Sequence, residues 1–320
     1  MKNKFLFFIC TLLSLFFLFG MFIYSVKLTE DENHMRDFNT KYQIFSILHP
    51  SSFDFAGEVL PSNSSEIFER IDKQMLKNIY WQSNTLLYFK RANKYFPIIE
   101  PILKKHNIPD DFKFLALIES GLQNVVSPAG ATGFWQILKS TAREYNLEVN
   151  SAIDERYNLE KSTEFACTYL KSAYNQFGSW TMAAASYNMG KNGLQRRSLE
   201  QKTNNYFNLK LSSETSEYIF RIVAVKEILQ NPKKYGFIFR EKDLYTMPSF
   251  KTIIIDSTIN DLNEFAISNS INFKLLKEFN PWLRTNTLPN ASRKSYDIKI
   301  PLDTIFLVFD EVKLSVDSLK

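Results

Sequence analysis

The chain has 320 residues, a formal net charge of +5, 45% hydrophobic and 15% aromatic residues, and two cysteines. The charge is mild and dispersed, and no Gly-rich phosphate loop or concentrated basic stripe is present, so binding of nucleotides or nucleic acid is not expected. His34, His49 and His106 have no paired spacing on any helix face, so neither a metal site nor a cofactor is expected.

Lys2 and Lys4 precede an uncharged, Phe- and Leu-rich run from Phe5 to Val26. That run is long enough for one membrane span, which needs roughly 20 apolar residues. Its flanking charges favour a cytoplasmic N-terminus and an exported body. Residues 1–26 are therefore expected to be a signal anchor, with a cleaved signal peptide as the alternative. Cys10 falls inside this run and Cys167 in a predicted helix of the body, so the two do not form a structural disulfide. The exported part must then be held by its core, which the aromatic content supplies. Residues 27–60 are weakly periodic and read as a stalk or wrapping segment.

From residue 61 the apolar periodicity is helical. Helices are predicted near 65–80, 85–95, and from Pro97 to Lys105, where proline suits a first-turn position. Asn107-Ile-Pro-Asp punctuates the chain before Asp111-Phe-Lys-Phe-Leu-Ala-Leu-Ile-Glu-Ser-Gly121. Further helices are predicted near 140–145, 159–177, 180–188 and 217–229. Gly178 stops the second of these segments, and Asn231-Pro232 ends the last. The stretch around Lys191, Arg196, Arg197 and Lys202 reads as a solvated loop. Residues 61–240 thus form an all-helical domain of ordinary size.

Glu119 stands out in this domain. Leu115 and Phe112 lie on its helical face and Leu122 continues the stripe, so a carboxylate there must be paired or neutralised if it is buried. Burial raises a carboxyl pKa, as a general acid working near neutral pH requires. The alternative is a glutamate at a frayed helix end, pointing into solvent before a glycine cap.

After Met247 the texture changes. Thr252-Ile-Ile-Ile255 and Tyr296-Asp-Ile-Lys-Ile300 read as strands, with short helices near 260–268 and 273–279 between them. Residues 248–303 are expected to be a compact β-α-α-β module, and 304–320 a tail whose Ile305-Phe-Leu-Val-Phe309 could extend its sheet.

Three motifs carry a resemblance. They are Ala116-Leu-Ile-Glu-Ser-Gly121 with Ser127-Pro-Ala-Gly-Ala-Thr-Gly-Phe-Trp-Gln-Ile137, then Ala185-Ser-Tyr-Asn-Met-Gly190, then Glu214-Thr-Ser-Glu-Tyr-Ile219 running to Pro232-Lys-Lys-Tyr-Gly236. In this order they resemble the lytic transglycosylases with a goose-lysozyme-like fold, most like the membrane-bound group termed type D, over about residues 70–240. The tail module resembles a LysM peptidoglycan-binding domain on Leu275-Leu-Lys-Glu-Phe-Asn-Pro281 and Ile298-Lys-Ile-Pro301. Its usual Gly-Asp-Thr turn is replaced by Ile255-Asp-Ser-Thr258, which makes it a degenerate copy.

With the small module and the N-terminal span, the chain is expected to be a mainly α protein with a transmembrane helix at residues 1–26. The resemblance implies a lysozyme-like catalytic domain. It implies Glu119 as catalytic acid and then base, with Ser127, Gln136, Tyr187 and Asn188 lining the glycan groove. Each has a plainer alternative: a turn hydroxyl for Ser127, a core amide for Gln136, a buried phenol for Tyr187, a helix cap for Asn188. Ser216 stands where an arginine is common in the third motif.

The implied reaction cleaves the MurNAc-GlcNAc β-1,4 bond of peptidoglycan. Hydrolases of the usual kinds need a second carboxylate. The segments 121–141 and 179–193 contain no Asp or Glu. That favours an intramolecular path in which the muramyl 6-hydroxyl attacks its own anomeric carbon and leaves 1,6-anhydroMurNAc. Asp110, Asp111, Asp154 and Glu155 stay open as second carboxylates. The expected partners are peptidoglycan glycan strands, the membrane, and cell-wall synthesis or division proteins, with the body in the periplasm of a bacterial envelope. The rival expectations are a lysozyme-like muramidase and an inactive peptidoglycan-binding scaffold.

Overall fold

The computed structural model describes residues 11–16, 29–41 and 44–302. The chain divides into two compact units, Met1–Leu48 and His49–Lys320. In the first, residues 11–16 and Glu30–Lys41 are helical. The expected anchor over 1–26 lies outside the described residues except for 11–16, and the tail over 304–320 lies outside them altogether. Among the described residues no helix is long and apolar enough to cross a membrane.

The second unit opens with a hairpin inside the segment read as a stalk or wrapping segment. Strands β1 (Asp54–Phe55) and β2 (Glu58–Val59) pair antiparallel around Ala56 and Gly57, both at positive φ, as a tight two-residue hairpin demands. Phe55 is fully buried with its ring edge-on to Phe112, so the hairpin packs into the helical core.

Helix α1 (Ser65–Tyr80) buries Ile67, Ile71, Met75 and Ile79, one stripe at four-residue spacing. Helix α2 (Gln82–Lys105) replaces the two helices expected on either side of Pro97. Pro97 and Pro101 both lie within it. Proline removes a helical hydrogen bond, yet Phe89, Ala92, Ile99 and Leu103 bury a face spanning both prolines, so packing overrides the local preference. Helix α3 (Phe112–Ser120) carries Glu119, and α4 (Lys139–Glu144) follows a long loop.

Helix α5 (Leu159–Phe177) starts on an Asn158 cap and stops at left-handed Gly178, as the sequence indicates. Helix α6 (Trp180–Met189) is capped from outside by the hairpin. The Glu58 carboxylate accepts from the Trp180 and Thr181 amides and from the Ser179 and Thr181 hydroxyls. Helix α7 (Lys191–Gln201) is a correction to the expected loop. It buries only Leu194, so it has no apolar stripe from which to infer a helix.

Helix α8 (Ser213–Gln230) is buried over much of its circumference, including Tyr218, Ile219, Phe220, Ile222, Val223 and Val225. A helix apolar on most sides belongs at the centre of a domain, and α8 packs against α1, α3 and α6. Helix α3 is thereby held between α2 and α8.

The small module has the expected order: β3 (Phe250–Ile255), α9 (Leu262–Ser268), α10 (Phe273–Phe279) and β4 (Tyr296–Pro301). The strands pair antiparallel in register from Phe250↔Pro301 to Ile255↔Tyr296. Leu262, Ala266, Leu276, Trp282, Ile298 and Ile300 form its core, which also takes in Ala152 and Ile153 from the helical domain.

Candidate active site

Glu119 is the penultimate residue of α3, which ends because Gly121 adopts a left-handed conformation (φ 62°, ψ 29°). The residue is half-buried, whereas Leu115, Ala116, Leu117 and Ile118 before it are buried. The Tyr218 hydroxyl, delivered by α8, donates to Glu119 Oε1. Arg221, one turn further along α8, donates to the Ile118 carbonyl (3.0 Å). Burial pushes the Glu119 carboxyl above its ordinary value; the Tyr218 hydrogen bond and the Arg221 charge oppose this, and the Glu214 charge adds to it. The carbonyl-rich helix end also disfavours the anion. A carboxyl so placed holds its proton to higher pH than an exposed glutamate does.

The loop from Gly121 to Ile137 folds back against this helix end. The Ser120 hydroxyl donates to the Phe134 carbonyl (2.8 Å). Trp135 is fully buried and anchored on the Thr163 hydroxyl (2.9 Å), a packing role. Gly133 is required by close approach: a Cβ there would meet the Arg156 carbonyl at 2.0 Å.

The residues named with Glu119 divide into two pairs. Tyr187 donates its hydroxyl to the Trp135 carbonyl (2.7 Å), and its own phenol is raised well above the ordinary range by burial and by the Glu119 charge. Asn188 spans α6 and α8: its amide donates to Glu214 (3.0 Å) and its carbonyl accepts from Thr215 (2.8 Å). Ser127 accepts from the Ala131 amide (3.1 Å), closing a turn. Gln136 sits at φ 47° and donates to the carbonyls of Val125 (3.0 Å) and Gly133 (2.8 Å). Tyr187 and Asn188 thus border Glu119 and its neighbours, whereas the hydrogen bonds of Ser127 and Gln136 shape the loop.

None of the four carboxylates left open in the sequence is paired with Glu119. Asp110 engages Lys113, Asp111 engages Lys226 and the Ala56 amide, Asp154 engages Arg156, and Glu155 accepts from the Glu148 amide. The carboxylate whose charge reaches Glu119 is Glu214, from the start of α8. Tyr218 and Arg221 are not apparent as site residues from the sequence, because Tyr218 reads as a member of the apolar stripe of α8 and nothing local ties it to Glu119. Its place in the third motif was the available signal.

A groove of about 640 Å³ opens along the Ile118 side of α3. Trp81, Tyr88, Lys73, Lys77, Glu214 and Arg221 line it. Trp81 is 63% exposed at the junction of α1 and α2, an uncommon setting for a large aromatic ring and a ready platform for an apolar sugar face. Among the described residues no cluster of His, Cys, Asp and Glu could hold a metal.

Residues 96–210 match the family model of the Transglycosylase SLT domain. Residues 251–304 match that of the Soluble lytic transglycosylase C-terminal LysM-like domain. The chain is 28% identical over 243 residues to Membrane-bound lytic murein transglycosylase D of Escherichia coli (strain K12), covering 74% of this chain and 52% of that protein. It is 24% identical over 188 residues to a Putative tributyltin chloride resistance protein of Alteromonas sp. (strain M-1), covering 57% of this chain and 91% of that one. Among solved structures, the 70 kDa soluble lytic transglycosylase of Escherichia coli aligns with a TM-score of 0.36 and 22% identity, over 45% of this chain and 25% of that one. The chain spans about half the length of the curated transglycosylases it matches. It therefore carries a transglycosylase SLT domain followed by a LysM-like domain of the soluble lytic transglycosylase type.

Proposed function

We propose that this chain is a peptidoglycan lytic transglycosylase that cleaves the MurNAc-GlcNAc β-1,4 bond without water and leaves 1,6-anhydroMurNAc ends. The observation that carries this reading is the Glu119 carboxyl, whose pKa burial raises and which Tyr218 hydrogen-bonds at a helix end, with its neighbours Ile118 and Arg221 lining an open groove.

Protonated Glu119 donates its proton to the glycosidic oxygen as the C1–O bond breaks. The developing carboxylate is then stabilised by the Tyr218 hydroxyl and the Arg221 charge, which act more strongly on the anion than on the acid. The muramyl C6 hydroxyl forms the new bond to C1 and gives its proton to Glu119, restoring the acid. Proximity favours this attack because nucleophile and electrophile belong to one sugar. Tyr187 and Asn188 border the reacting sugars, while Ser127 and Gln136 hold the loop that packs against the end of α3. The substrate is the glycan strand of peptidoglycan, and residues 1–26 would tether the body to the membrane of the cell envelope.

A second reading rests on Glu214. Its charge reaches Glu119, so a hydrolytic muramidase could use it to activate water. Its hydrogen bond to Asn188 and its exposed position at the start of α8 favour a groove-wall role instead. Incubating purified murein with the protein and separating the soluble muropeptides by mass distinguishes the two. Anhydro ends support transglycosylation, hydrated reducing ends support the muramidase, and no cleavage supports an inactive scaffold.

A further inference from the structure

We propose that the LysM-like domain is a positioning element for the active-site loop, acting through Asp154 and Arg156. Residues 148–160 lie between the two and are bonded to both.

On the LysM-like side the contact is main-chain and core. Ile153 forms a β-bridge with Leu283, the Asp154 amide donates to the Trp282 carbonyl (2.9 Å), and the Arg284 amide donates to the Ala152 carbonyl (2.8 Å). Ala152 and Ile153 belong to the same buried cluster as Leu276, Leu283 and Ile298. The Glu148 carboxylate accepts from Lys294 (2.7 Å) and Tyr296 (3.0 Å), and the Arg284 guanidinium lies 4.1 Å from the Tyr157 ring centroid. A domain tied this way does not swing freely on a linker.

On the loop side the contact is a buried ion pair with two further bonds. Arg156 and Asp154 are each 7% exposed. Arg156 grips Asp154 in bidentate fashion (2.9 and 2.8 Å), and its remaining terminal nitrogen donates to the carbonyls of Gly130 (3.2 Å) and Ile137 (3.1 Å). These two carbonyls lie near opposite ends of the second half of the loop. Asn124 donates to the Tyr157 carbonyl (3.3 Å), and Gly133 lies against the Arg156 carbonyl. The loop in turn reaches Glu119's surroundings through Ser120 to Phe134 and Tyr187 to Trp135.

Burying an ion pair is no efficient way to gain stability, since well-packed apolar side chains of equal volume do as well or better. An apolar replacement could fill the space but could not hold two loop carbonyls with a planar fork of donors. The arrangement fits orientation of the loop, with Asp154 giving its amide to the LysM-like domain and its carboxylate to Arg156.

The test uses the full chain and reads amide hydrogen exchange over residues 121–137 in Arg156→Gln, Arg156→Lys and Arg284→Ala. Arg284 is exposed, so its truncation probes the LysM-like side without opening the buried pair. Loss of positioning speeds exchange in 121–137 in Arg156→Gln and Arg284→Ala while the amides of α8 keep their protection, and Arg156→Lys gives an intermediate profile. Murein cleavage, an arm that rests on the proposed function, loses about tenfold or more in kcat with KM within about twofold. Unchanged exchange in 121–137, or exchange raised evenly through α8, overturns the proposal. Failure of the unaltered protein to cut murein refutes the proposed function alone, because the exchange arm does not need the reaction.

Discussion

Tyr218 donates its hydroxyl to Glu119 from a position 99 residues further along the chain, joining the central helix α8 to the end of α3. The phenol is buried and its own pKa is raised well above the ordinary value, so it stays a donor across the working pH range. Acid and donor are thus fixed by two packed helices, and the carboxyl depends on both.

Glu119→Gln keeps the shape but cannot deliver a proton. Murein cleavage is expected to fall by about 10³-fold, within the range that general acids contribute. Sedimentation with murein should be retained, which separates loss of chemistry from loss of binding.

The same substitution is expected to raise stability at neutral pH. A carboxyl whose native pKa lies above its unfolded value binds more protons folded than unfolded. Stability is therefore greatest below the ordinary value of 4.5, falls as pH rises to the raised native value, and is flat beyond it. The difference in Tm between Glu119→Gln and the unaltered protein should be positive at pH 7 and shrink below pH 4.5. A gain that does not vary with pH would contradict a raised Glu119.

Two neighbours should shift the alkaline limb of the pH–activity profile in opposite directions. The Tyr218 hydrogen bond lowers the Glu119 pKa, so Tyr218→Phe moves the limb upward and costs about tenfold at the optimum. The Glu214 charge raises it, so Glu214→Gln moves the limb downward while the products keep anhydro ends.

Trp81→Ala removes the exposed ring from the groove wall. If a sugar face rests there, KM rises about fivefold with kcat little changed, as losing about 1 kcal/mol of uniform binding predicts. Initial-rate kinetics on soluble glycan strands checks this.

Glu58→Ala strips four hydrogen bonds from the start of α6. Loss of such a cap costs about 1–2 kcal/mol, read as a lower denaturation midpoint. Activity of the folded fraction should persist, since α6 is still held by α5 and α8.

The sequence was most legible where one helix face is apolar. Residues 159–177 show Phe165, Tyr169, Ala173 and Phe177 on a stripe closed by Gly178, and the helix has those bounds. Helix α2 runs through Pro97, where the sequence indicates a break, because local preference and long-range packing point in opposite directions there. Helix α7 was invisible because only Leu194 is buried. At the site, Glu119 was legible as a lone charge in an apolar stripe. Glu214 and Tyr218 were not, because their relation to it exists only once α8 crosses α3. Ser127 and Gln136 bond within their own loop: a turn hydroxyl for Ser127 was legible locally, whereas the Gln136 bonds to Val125 and Gly133 depend on how the loop folds back on itself.

The mass of the muropeptides released from purified murein tests the central claim most directly. Intramolecular attack leaves 1,6-anhydroMurNAc termini, lighter by one water than the hydrolytic product. Anhydro termini are expected from the unaltered protein, and about 10³-fold fewer in the same time from Glu119→Gln. Reducing MurNAc termini as the main product, or cleavage by Glu119→Gln at close to the unaltered rate, would contradict Glu119 as the acid of an intramolecular reaction.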